Sequence, residues 1–341
     1  MMRDQQMDTR GAVVITSIAA PNEVMKEIAR GCSARGFSFI VIGDTKSPAN
    51  FVLDGCDYFS VERQVATGLR FAVACPTRHY ARKNIGYILA ARAGAAFIIE
   101  TDDDNMPRPE FYEPLPKTVV CPSLTNTGWT NIYRYFSKDL IWPRGLPLDA
   151  VASPMTQLPG AATASCPIQQ GLADDNPDVD AIYRLLMPIP VTFSPGEMRI
   201  ALGEGSWCPY NSQNTVHYRE AFPLLYLPSY CSFRMTDIWR SFVAQRIAWT
   251  CGWSILFREP TVTQDRNDHD LMRDFAEEVP GYLANRAIGA ALAELELAPG
   301  VDSIRDNLRI CYARLVADGH IGPEELPLLD AFLSDLPILG R

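Results

Sequence analysis

The feature that most restricts the fold of this chain is the alternation of apolar runs and helix-like segments over its first hundred residues. Residues 12–18, 37–42 and 95–99 are short, largely β-branched or aromatic runs, as expected for strands buried in a parallel sheet. Helical spacing of apolar side chains follows Pro21 and returns over residues 80–93. Strand, helix and strand in this order predict an α/β fold with a Rossmann-like, mostly parallel central sheet.

Polar side chains stand where three of these strands end. Thr16 lies near the end of the first run, Asp44 follows the second, and the aspartates at 102–104 follow the third. Ligands of parallel sheets bind beyond the carboxyl ends of the strands. We therefore expect these side chains to share one crevice.

The three consecutive aspartates, Asp102, Asp103 and Asp104, are the sharpest chemical signal. Two carboxylates ~4 Å apart repel by up to roughly 4 kcal/mol at an effective dielectric constant of 20. Such a cluster is tolerated on a solvated turn that caps a helix, or where a divalent cation neutralises it. Its place directly after an apolar strand favours a site for Mg²⁺ or Mn²⁺, which accept carboxylate and phosphate oxygens.

A basic pair, Arg82 and Lys83, precedes the third strand at the predicted start of a helix. Helices usually place acidic residues in this first turn. The pair therefore indicates an anionic ligand such as a phosphate, with a solvated helix end as the alternative.

Composition excludes several classes of partner. The chain has 31 basic and 40 acidic residues, so its net charge of -9 gives no general attraction for nucleic acid or an anionic membrane. Its apolar runs are shorter than the ~18 residues of a membrane span, and its polar first ten residues do not resemble a signal peptide. The nine cysteines are scattered without a C-x-x-C pair. These features predict a cytoplasmic protein with no membrane span.

Longer strings of residues resemble the STELLO family of glycosyltransferases. The most specific are the Pro-Asp-Val-Asp string at 177–180 and the Asp-Ile-Trp-Arg string at 237–240. The other similar strings lie at residues 13–18, 41–46, 80–87, 98–105, 141–147, 211–215, 233–236, 245–246 and 264–269. The chain is more distantly similar to the reversibly glycosylated polypeptides, which also carry three aspartates after a strand.

This resemblance covers roughly residues 11–283 and implies a GT-A fold. It implies a glycosyltransferase domain at 11–283, with a nucleotide-binding half at 11–105 and an acceptor and sugar half at 106–283. The remaining residues, 284–341, form a predicted C-terminal helical extension outside the resemblance. We expect this extension either to pair protomers in a homo-oligomer or to cap the domain.

The resemblance also implies roles at the strand ends. Asp104 holds the metal, and Asp102 contacts either the metal or the ribose of the nucleotide. Asp44 meets the base or ribose. The remaining predicted donor contacts near them are Thr16, Arg82, Lys83 and Asp103.

Asp237 is predicted at the start of a helix over 236–249, where an N-cap is its ordinary structural role. In GT-A enzymes an acidic residue at such a position often deprotonates the acceptor hydroxyl, and we predict this catalytic role for Asp237. Arg240 and Arg246 follow in the same helix. They either bind the donor phosphates or brace the helix.

Two further predictions concern the metal and the sugar. His269 is predicted as an additional metal ligand, because GT-A enzymes often supply a late histidine; a surface histidine is the alternative. Asp178 and Asp180 are predicted to bond sugar or acceptor hydroxyls, or else to end a turn around Pro177.

The resulting prediction is a hexosyl- or pentosyltransferase that uses Mn²⁺ or Mg²⁺. It moves a sugar from a nucleoside-diphosphate donor, UDP-linked, to a hydroxyl of a glycan or another acceptor. One alternative is a nucleotide-sugar mutase or a self-glycosylating protein. The other is a scaffold that binds a nucleotide sugar without catalysis.

Overall fold

A computed structural model describes residues 10–265 and 270–338 of the chain. Its strands are β1 (Gly11–Thr16), β2 (Ser38–Ile42), β3 (Asp57–Phe59), β4 (Phe97–Thr101), β5 (Asn105–Pro107), β6 (Thr118–Cys121), β7 (Ser123–Leu124), β8 (Gly128–Trp129), β9 (Ala162–Ser165), β10 (Ile168–Asp174), β11 (Arg199–Leu202), β12 (Ser206–Trp207), β13 (Asn214–Tyr218) and β14 (Ile255–Gln264). Its α-helices are α1 (Glu23–Arg35), α2 (Val61–Ala66), α3 (Arg70–Ala74), α4 (Lys83–Arg92), α5 (Ala181–Leu186), α6 (Thr236–Thr250), α7 (Leu271–Ala293), α8 (Ile304–Ala317) and α9 (Glu325–Asp335).

The described residues form one ten-stranded sheet in the order β3-β2-β1-β4-β13-β10-β14-β11-β7, with β5 paired to β14. The first four strands in this order are parallel, as the alternation in the sequence predicts. Strand β13 runs antiparallel to both β4 and β10. The mostly parallel α/β fold is confirmed.

Both faces of the parallel half are covered. Along β1, Val14 packs into the larger core beside α4, whereas Val13 and Ile15 pack into a second core beside α1. Gly86 lets α4 approach the sheet closely, since a Cβ atom there would lie 2.4 Å from Cγ1 of Val14. This approach brings the first turn of α4 to the end of β4.

Two of the element boundaries that differ from the sequence-based prediction lie beside the predicted strand ends. Strand β4 begins and ends two residues later than predicted, so the aspartates follow its last residue directly. The predicted helix over 80–93 begins as a single 3-10 turn, and the α-helix starts at Lys83. The imidazole of His79 opens this turn by accepting a hydrogen bond from the backbone N–H of Ala81.

The C-terminal helices pack on the rest of the chain. Phe332 of α9 is fully buried, and the carboxylate of Glu325 accepts hydrogen bonds from the backbone N–H groups of Ser229 and Tyr230. At the other end of α9, Asp335 accepts a hydrogen bond from the backbone N–H of Phe71. These contacts agree with the capping alternative, and a homo-oligomer stays a prediction.

The predicted division at residues 283 and 284 falls inside α7 and also stays a prediction. Among the helices of the described ranges, none has both the length and the apolar content that a bilayer-spanning segment requires.

Candidate active site

A cavity of about 510 Å³ lies beyond the carboxyl ends of β1, β2 and β4. This volume is within the range of small-molecule sites. One part of its lining, the strand-end cluster, consists of Thr16, Ser17, Asp44, Asp102, Asp103 and Asp104. A second part, the Arg144 cluster, consists of Arg144, Asp178, Ser212 and Asp237. The structure therefore confirms that the three predicted strand ends share one crevice.

Hydrogen bonds from neighbouring elements hold two of the three consecutive aspartates. The hydroxyl of Ser17 donates to the carboxylate of Asp103, and the side-chain amide of Asn22 donates to the Asp103 carbonyl at 2.7 Å. Asn22 is also the N-cap of α1. The amide of Gln264, at the end of β14, lies 3.2 Å from both carboxylate oxygens of Asp104.

Asp102 is positioned by α4 and the turn before it. Its Oδ1 accepts hydrogen bonds from the Tyr80 hydroxyl at 2.8 Å and from Nζ of Lys83 at 3.1 Å. The Lys83 side chain is fully buried, and its ammonium group also donates to the carbonyls of Thr101 and Ser212. Lys83 thus orients Asp102 and does not itself line the cavity.

The strand-end cluster carries more negative charge than its neighbours neutralise. Burial and the adjacent charge of Asp102 raise the pKa of Asp104 to about 7, and burial raises the pKa of Asp103. Within the described residues, these three carboxylates make one ion pair, between Asp102 and Lys83. Burial and the neighbouring carboxylates therefore disfavour the ionised forms of Asp103 and Asp104.

These carboxylates fit a hard divalent cation that takes one or two protein oxygens and fills its other positions with water and phosphate oxygens. Among the residues that the structure describes, no three Asp, Glu, His or Cys side chains are arranged to hold a metal by themselves. The predicted ligand His269 lies outside the described residues.

Asp44 and Thr16 line the same cavity. The carboxylate of Asp44 accepts hydrogen bonds from the backbone N–H groups of Thr45 at 2.6 Å and His79 at 3.0 Å. Asp44 therefore fixes the loop that carries His79 against the end of β2. Its remaining lone pairs are available to a ligand.

Arg144 is the centre of the second cluster, and sequence analysis did not select it. Its Nε and Nη2 donate to the two carboxylate oxygens of Asp178 at 2.8 and 2.9 Å. Its Nη1 and Nη2 donate to those of Asp237 at 3.1 and 3.0 Å, and Nη1 also donates to the carbonyl of Arg234. A guanidinium has five N–H donors, so this side chain is saturated and rigidly held.

Asp237 does not cap its helix, which corrects the structural role considered for it. It lies in the first turn of α6, whose N-cap is Met235, and its carboxylate turns to Arg144. Its Oδ2 also accepts the N–H and hydroxyl of Ser212, both at 3.2 Å. Burial alone would raise the pKa of Asp237, but the Arg144 charge and hydrogen bonds outweigh it and lower the pKa to about 2.

The two clusters approach each other through the side chains of Tyr80 and Ser212. The Tyr80 hydroxyl, which donates to Asp102, lies 2.8 Å from the hydroxyl of Ser212, which contacts Asp237. A continuous set of polar contacts therefore connects the end of β4 with the start of α6.

Arg240 and Arg246 do not line the cavity. Arg240 is buried against Glu100 of β4, with Nη1 to Oε1 at 2.8 Å. Arg246 donates to the carbonyls of Leu292 and Leu295 beyond it. Both contacts agree with the alternative that these arginines brace the helix, because each guanidinium contacts an element that packs against α6.

Asp180 and Arg82 also have internal partners. Asp180 is the N-cap of α5, where it accepts the N–H of Tyr183, and it also accepts the indole N–H of Trp142. It does not line the cavity, which corrects the prediction that it bonds a sugar. Arg82 reaches the lining but is almost fully buried, and its guanidinium binds the side chain of Gln64 and the carbonyl of Cys75.

Sequence analysis missed Arg144, Tyr80, Ser212 and Gln264 as site residues. Three of them lie in strings that carry the family resemblance, at 80–87, 141–147 and 211–215, and Gln264 opens the string at 264–269. The polar residues in those strings were the sequence signal that could have identified these site residues.

The family model of STELLO glycosyltransferases matches residues 234–341. "Probable glycosyltransferase STELLO1" of Arabidopsis thaliana is 27% identical over 353 aligned positions, which cover 96% of this chain and 44% of the relative. "Probable glycosyltransferase STELLO2" of the same plant is 28% identical over 273 positions, which cover 73% of this chain and 35% of the relative. The chain is therefore similar to the STELLO glycosyltransferases.

The chain spans less than half the length of these two relatives. The family match includes α6 and all of the C-terminal helices. The expectation that residues 284–341 lie outside the resemblance was therefore wrong. Those helices pack on the loop before α6, so they belong to the structure that shapes the cavity.

Proposed function

We propose that this chain is a glycosyltransferase that moves a sugar from a nucleoside-diphosphate sugar, UDP-linked, to an acceptor hydroxyl. The observation that carries the proposal is the single cavity in which an uncompensated strand-end cluster meets the Arg144 cluster. The family match supports the same class of enzyme.

The strand-end cluster is the proposed donor site. Thr16 and Asp44 offer a hydroxyl and a carboxylate to the nucleoside, at the ends of two adjacent parallel strands. A divalent cation, Mn²⁺ or Mg²⁺, held by Asp102 and Asp104 would stabilise the negative charge of the leaving diphosphate. Lys83 and Tyr80 keep the carboxylate of Asp102 in one orientation, which prepares the site before the ligand arrives.

The Arg144 cluster is the proposed acceptor site. Asp178 and Asp237 present carboxylate oxygens at the cavity, and carboxylates are suitable acceptors for sugar hydroxyl protons. Because Arg144 holds both carboxylates by paired hydrogen bonds, an acceptor hydroxyl would meet a fixed set of oxygens.

The test is a panel of UDP-, GDP-, CMP- and TDP-sugars with and without Mn²⁺, measured by thermal shift and by nucleotide release. We expect a Mn²⁺-dependent shift with one donor, and the loss of that shift in Asp104→Ala. The matched control is Asp149→Ala, since Asp149 is an exposed aspartate paired with Arg286 outside the cavity.

Other outcomes of this panel would contradict the proposal in different ways. Donor consumption that leaves a sugar on the protein, or an isomerised nucleotide sugar, would indicate the self-glycosylating or mutase alternative. Binding without consumption in the presence of a broad acceptor set would indicate the scaffold alternative. No shift with any donor would exclude a nucleotide-sugar site.

A further inference from the structure

The cavity lining includes an exposed apolar ring, that of Phe233. Among the described residues that line the cavity, three are aromatic: His79, Tyr80 and Phe233. Phe233 is the one of the three that has no hydrogen-bonding group in its ring, and 49% of this residue is exposed. Single exposed apolar residues are ordinary on a protein surface. Phe233 differs from them because a ligand that enters the cavity would contact it.

The turn that carries Phe233 is held in place by its neighbours. Phe233, Arg234 and Met235 form one 3-10 turn directly before α6. Arg234 pairs with the buried carboxylate of Glu278 at 2.8 Å, and its carbonyl accepts a hydrogen bond from Arg144. Met235 is buried in the core. Because the other two residues of the turn are fixed, the position of Phe233 is set before a ligand binds.

The ring of Phe233 contacts the two other aromatic residues of the lining. Its centroid lies 6.0 Å from that of His79 and 6.3 Å from that of Tyr80, with interplanar angles of 66° and 73°. Both are edge-to-face contacts, and within the described part of the chain no ring stacks in parallel on Phe233. The exposed part of the ring is therefore available to a ring of the ligand.

Phe233 connects the proposed donor site with the proposed acceptor site. Tyr80, which its ring contacts, donates a hydrogen bond to Asp102 of the strand-end cluster at 2.8 Å. Arg144, which binds the carbonyl of the next residue, Arg234, pairs with both carboxylates of the Arg144 cluster. The carboxylates of the two clusters line the same cavity as Phe233. A ligand that lies against this ring is therefore close to acceptors for hydrogen bonds from hydroxyl groups.

An aromatic ring among carboxylates fits the chemistry of a sugar. A pyranose ring carries hydroxyl groups around its edge and C–H groups on its faces. Carboxylates accept the hydroxyl protons, and the negative face of an aromatic ring attracts the C–H groups. A uracil base also has two flat faces, but its edge carries two carbonyl acceptors and one N–H donor. A sugar therefore matches this set of carboxylates better than the base does.

We infer that Phe233 is a substrate-binding residue on which a sugar ring packs with one of its C–H faces. This inference rests on the proposed function. The ring belongs to the donor sugar or to a sugar acceptor, because both lie between the two clusters during the transfer. Phe233 takes part in no covalent step. It orients the sugar so that the hydroxyl groups at the edge of the ring meet the carboxylates.

The experiment compares Phe233→Leu with Phe233→Tyr in the full chain. Leucine keeps an apolar side chain without an aromatic face, whereas tyrosine keeps the face. Calorimetry with Mn²⁺ gives the dissociation constants of the nucleotide sugar that responds in the panel and of its free nucleoside diphosphate. Nucleotide release with methyl glycosides gives the acceptor KM. The matched control is Phe275→Leu, since the ring of Phe275 contacts Tyr282 and does not line the cavity.

The expected result distinguishes the two sources of the sugar. If the donor sugar packs on the ring, Phe233→Leu weakens binding of the nucleotide sugar by about 2- to 10-fold and leaves binding of the nucleoside diphosphate unchanged. If the acceptor packs there, Phe233→Leu raises the acceptor KM by about the same factor and leaves donor binding unchanged. We expect Phe233→Tyr and Phe275→Leu to keep the constants of the unmodified chain.

Other results would overturn the inference while the proposed function stood. Equal weakening of the nucleotide sugar and its nucleoside diphosphate would place Phe233 at the nucleotide. Unchanged constants in Phe233→Leu, or the same losses in Phe275→Leu, would exclude a specific contact between Phe233 and a sugar. If the unmodified chain binds no nucleotide sugar and releases no nucleotide, the proposed function itself fails.

A measurement on the unmodified chain keeps the inference testable if a variant does not fold. Proton NMR with Mg²⁺ in place of Mn²⁺ follows the sugar C–H protons of the nucleotide sugar and of the methyl glycosides. Protons that lie over an aromatic face move upfield when they bind. We expect such a shift for one of the two sugars, and bound sugars without it would overturn the inference.

Discussion

The strand-end cluster and the Arg144 cluster line one cavity but differ in how their charges are balanced. In the strand-end cluster, burial and like charges raise the pKa of Asp104 to about 7. In the Arg144 cluster, one guanidinium pairs with two carboxylates and lowers the pKa of Asp237 to about 2. Within the described residues, the carboxylates of the first cluster therefore have one cationic partner, Lys83, whereas both carboxylates of the second pair with a buried arginine.

This difference in charge indicates that the two clusters have different roles in ligand binding. A cluster with unneutralised charge gains free energy when a cation and an anionic donor bind together. The Arg144 cluster, in which one guanidinium holds two carboxylates by paired hydrogen bonds, instead offers a fixed geometry to an acceptor. Three predictions test this distinction, beginning with the largest expected effect.

Replacement of Arg144 should destabilise the fold strongly. Arg144→Ala leaves the largely buried carboxylates of Asp178 and Asp237 without their partner, and removing one member of a buried ion pair costs about 3–5 kcal/mol. Chemical denaturation measures the change. The control Arg286→Ala breaks the exposed pair with Asp149 and should cost no more than about 1 kcal/mol. Equal small losses in the two variants would show that the Arg144 cluster is not a structural centre.

The stabilising contribution of Asp237 should depend on pH. Its folded pKa of about 2 lies below its usual value of 3.8, so the ionised form stabilises the fold above pH 3.8. This contribution, about 2 kcal/mol by linkage, is lost as the pH falls from about 4 towards 2. The difference in unfolding free energy between the unmodified chain and Asp237→Asn should accordingly shrink over that interval. A difference that stays constant from pH 7 to pH 2.5 would contradict the assigned pairing.

Removing one charge from the strand-end cluster should stabilise the fold, in contrast to the two changes above. In the presence of a chelator at pH 8, Asp104→Asn removes a buried charge next to Asp102 and Asp103 and should raise the unfolding free energy by about 1 kcal/mol. Denaturation by urea measures this gain. A loss of stability in Asp104→Asn would mean that the ionised carboxylate of Asp104 already has a partner that compensates it.

The parts of the molecule that were predictable from sequence follow from local rules. The parallel strands β1, β2 and β4 and the shared crevice at Thr16, Asp44 and Asp102 could be predicted, because apolar runs and strand ends leave a direct pattern. The helix α6 was predicted to within one residue of its end. Strand β13, which runs antiparallel within a loop-rich segment, was not predicted.

The Arg144 cluster could not be predicted because its members are brought together by long-range packing. Arg144 is 34 residues from Asp178 and 93 from Asp237, and neither separation follows a helical or strand period. Charge type alone was also misleading. Arg240 and Arg246 share a helix with Asp237, yet their guanidinium groups brace Glu100 and the end of α7. Sequence position does not indicate whether an arginine meets a ligand or a buried partner.

The most direct test of the division between the two clusters is the donor affinity of three chains by isothermal titration calorimetry with Mn²⁺. These are the unmodified chain, Asp104→Asn and Asp178→Asn, titrated with the nucleotide sugar that responds in the donor panel. We predict that Asp104→Asn loses measurable donor binding, whereas Asp178→Asn binds the donor as the unmodified chain does. Normal binding in Asp104→Asn together with lost binding in Asp178→Asn would contradict the account.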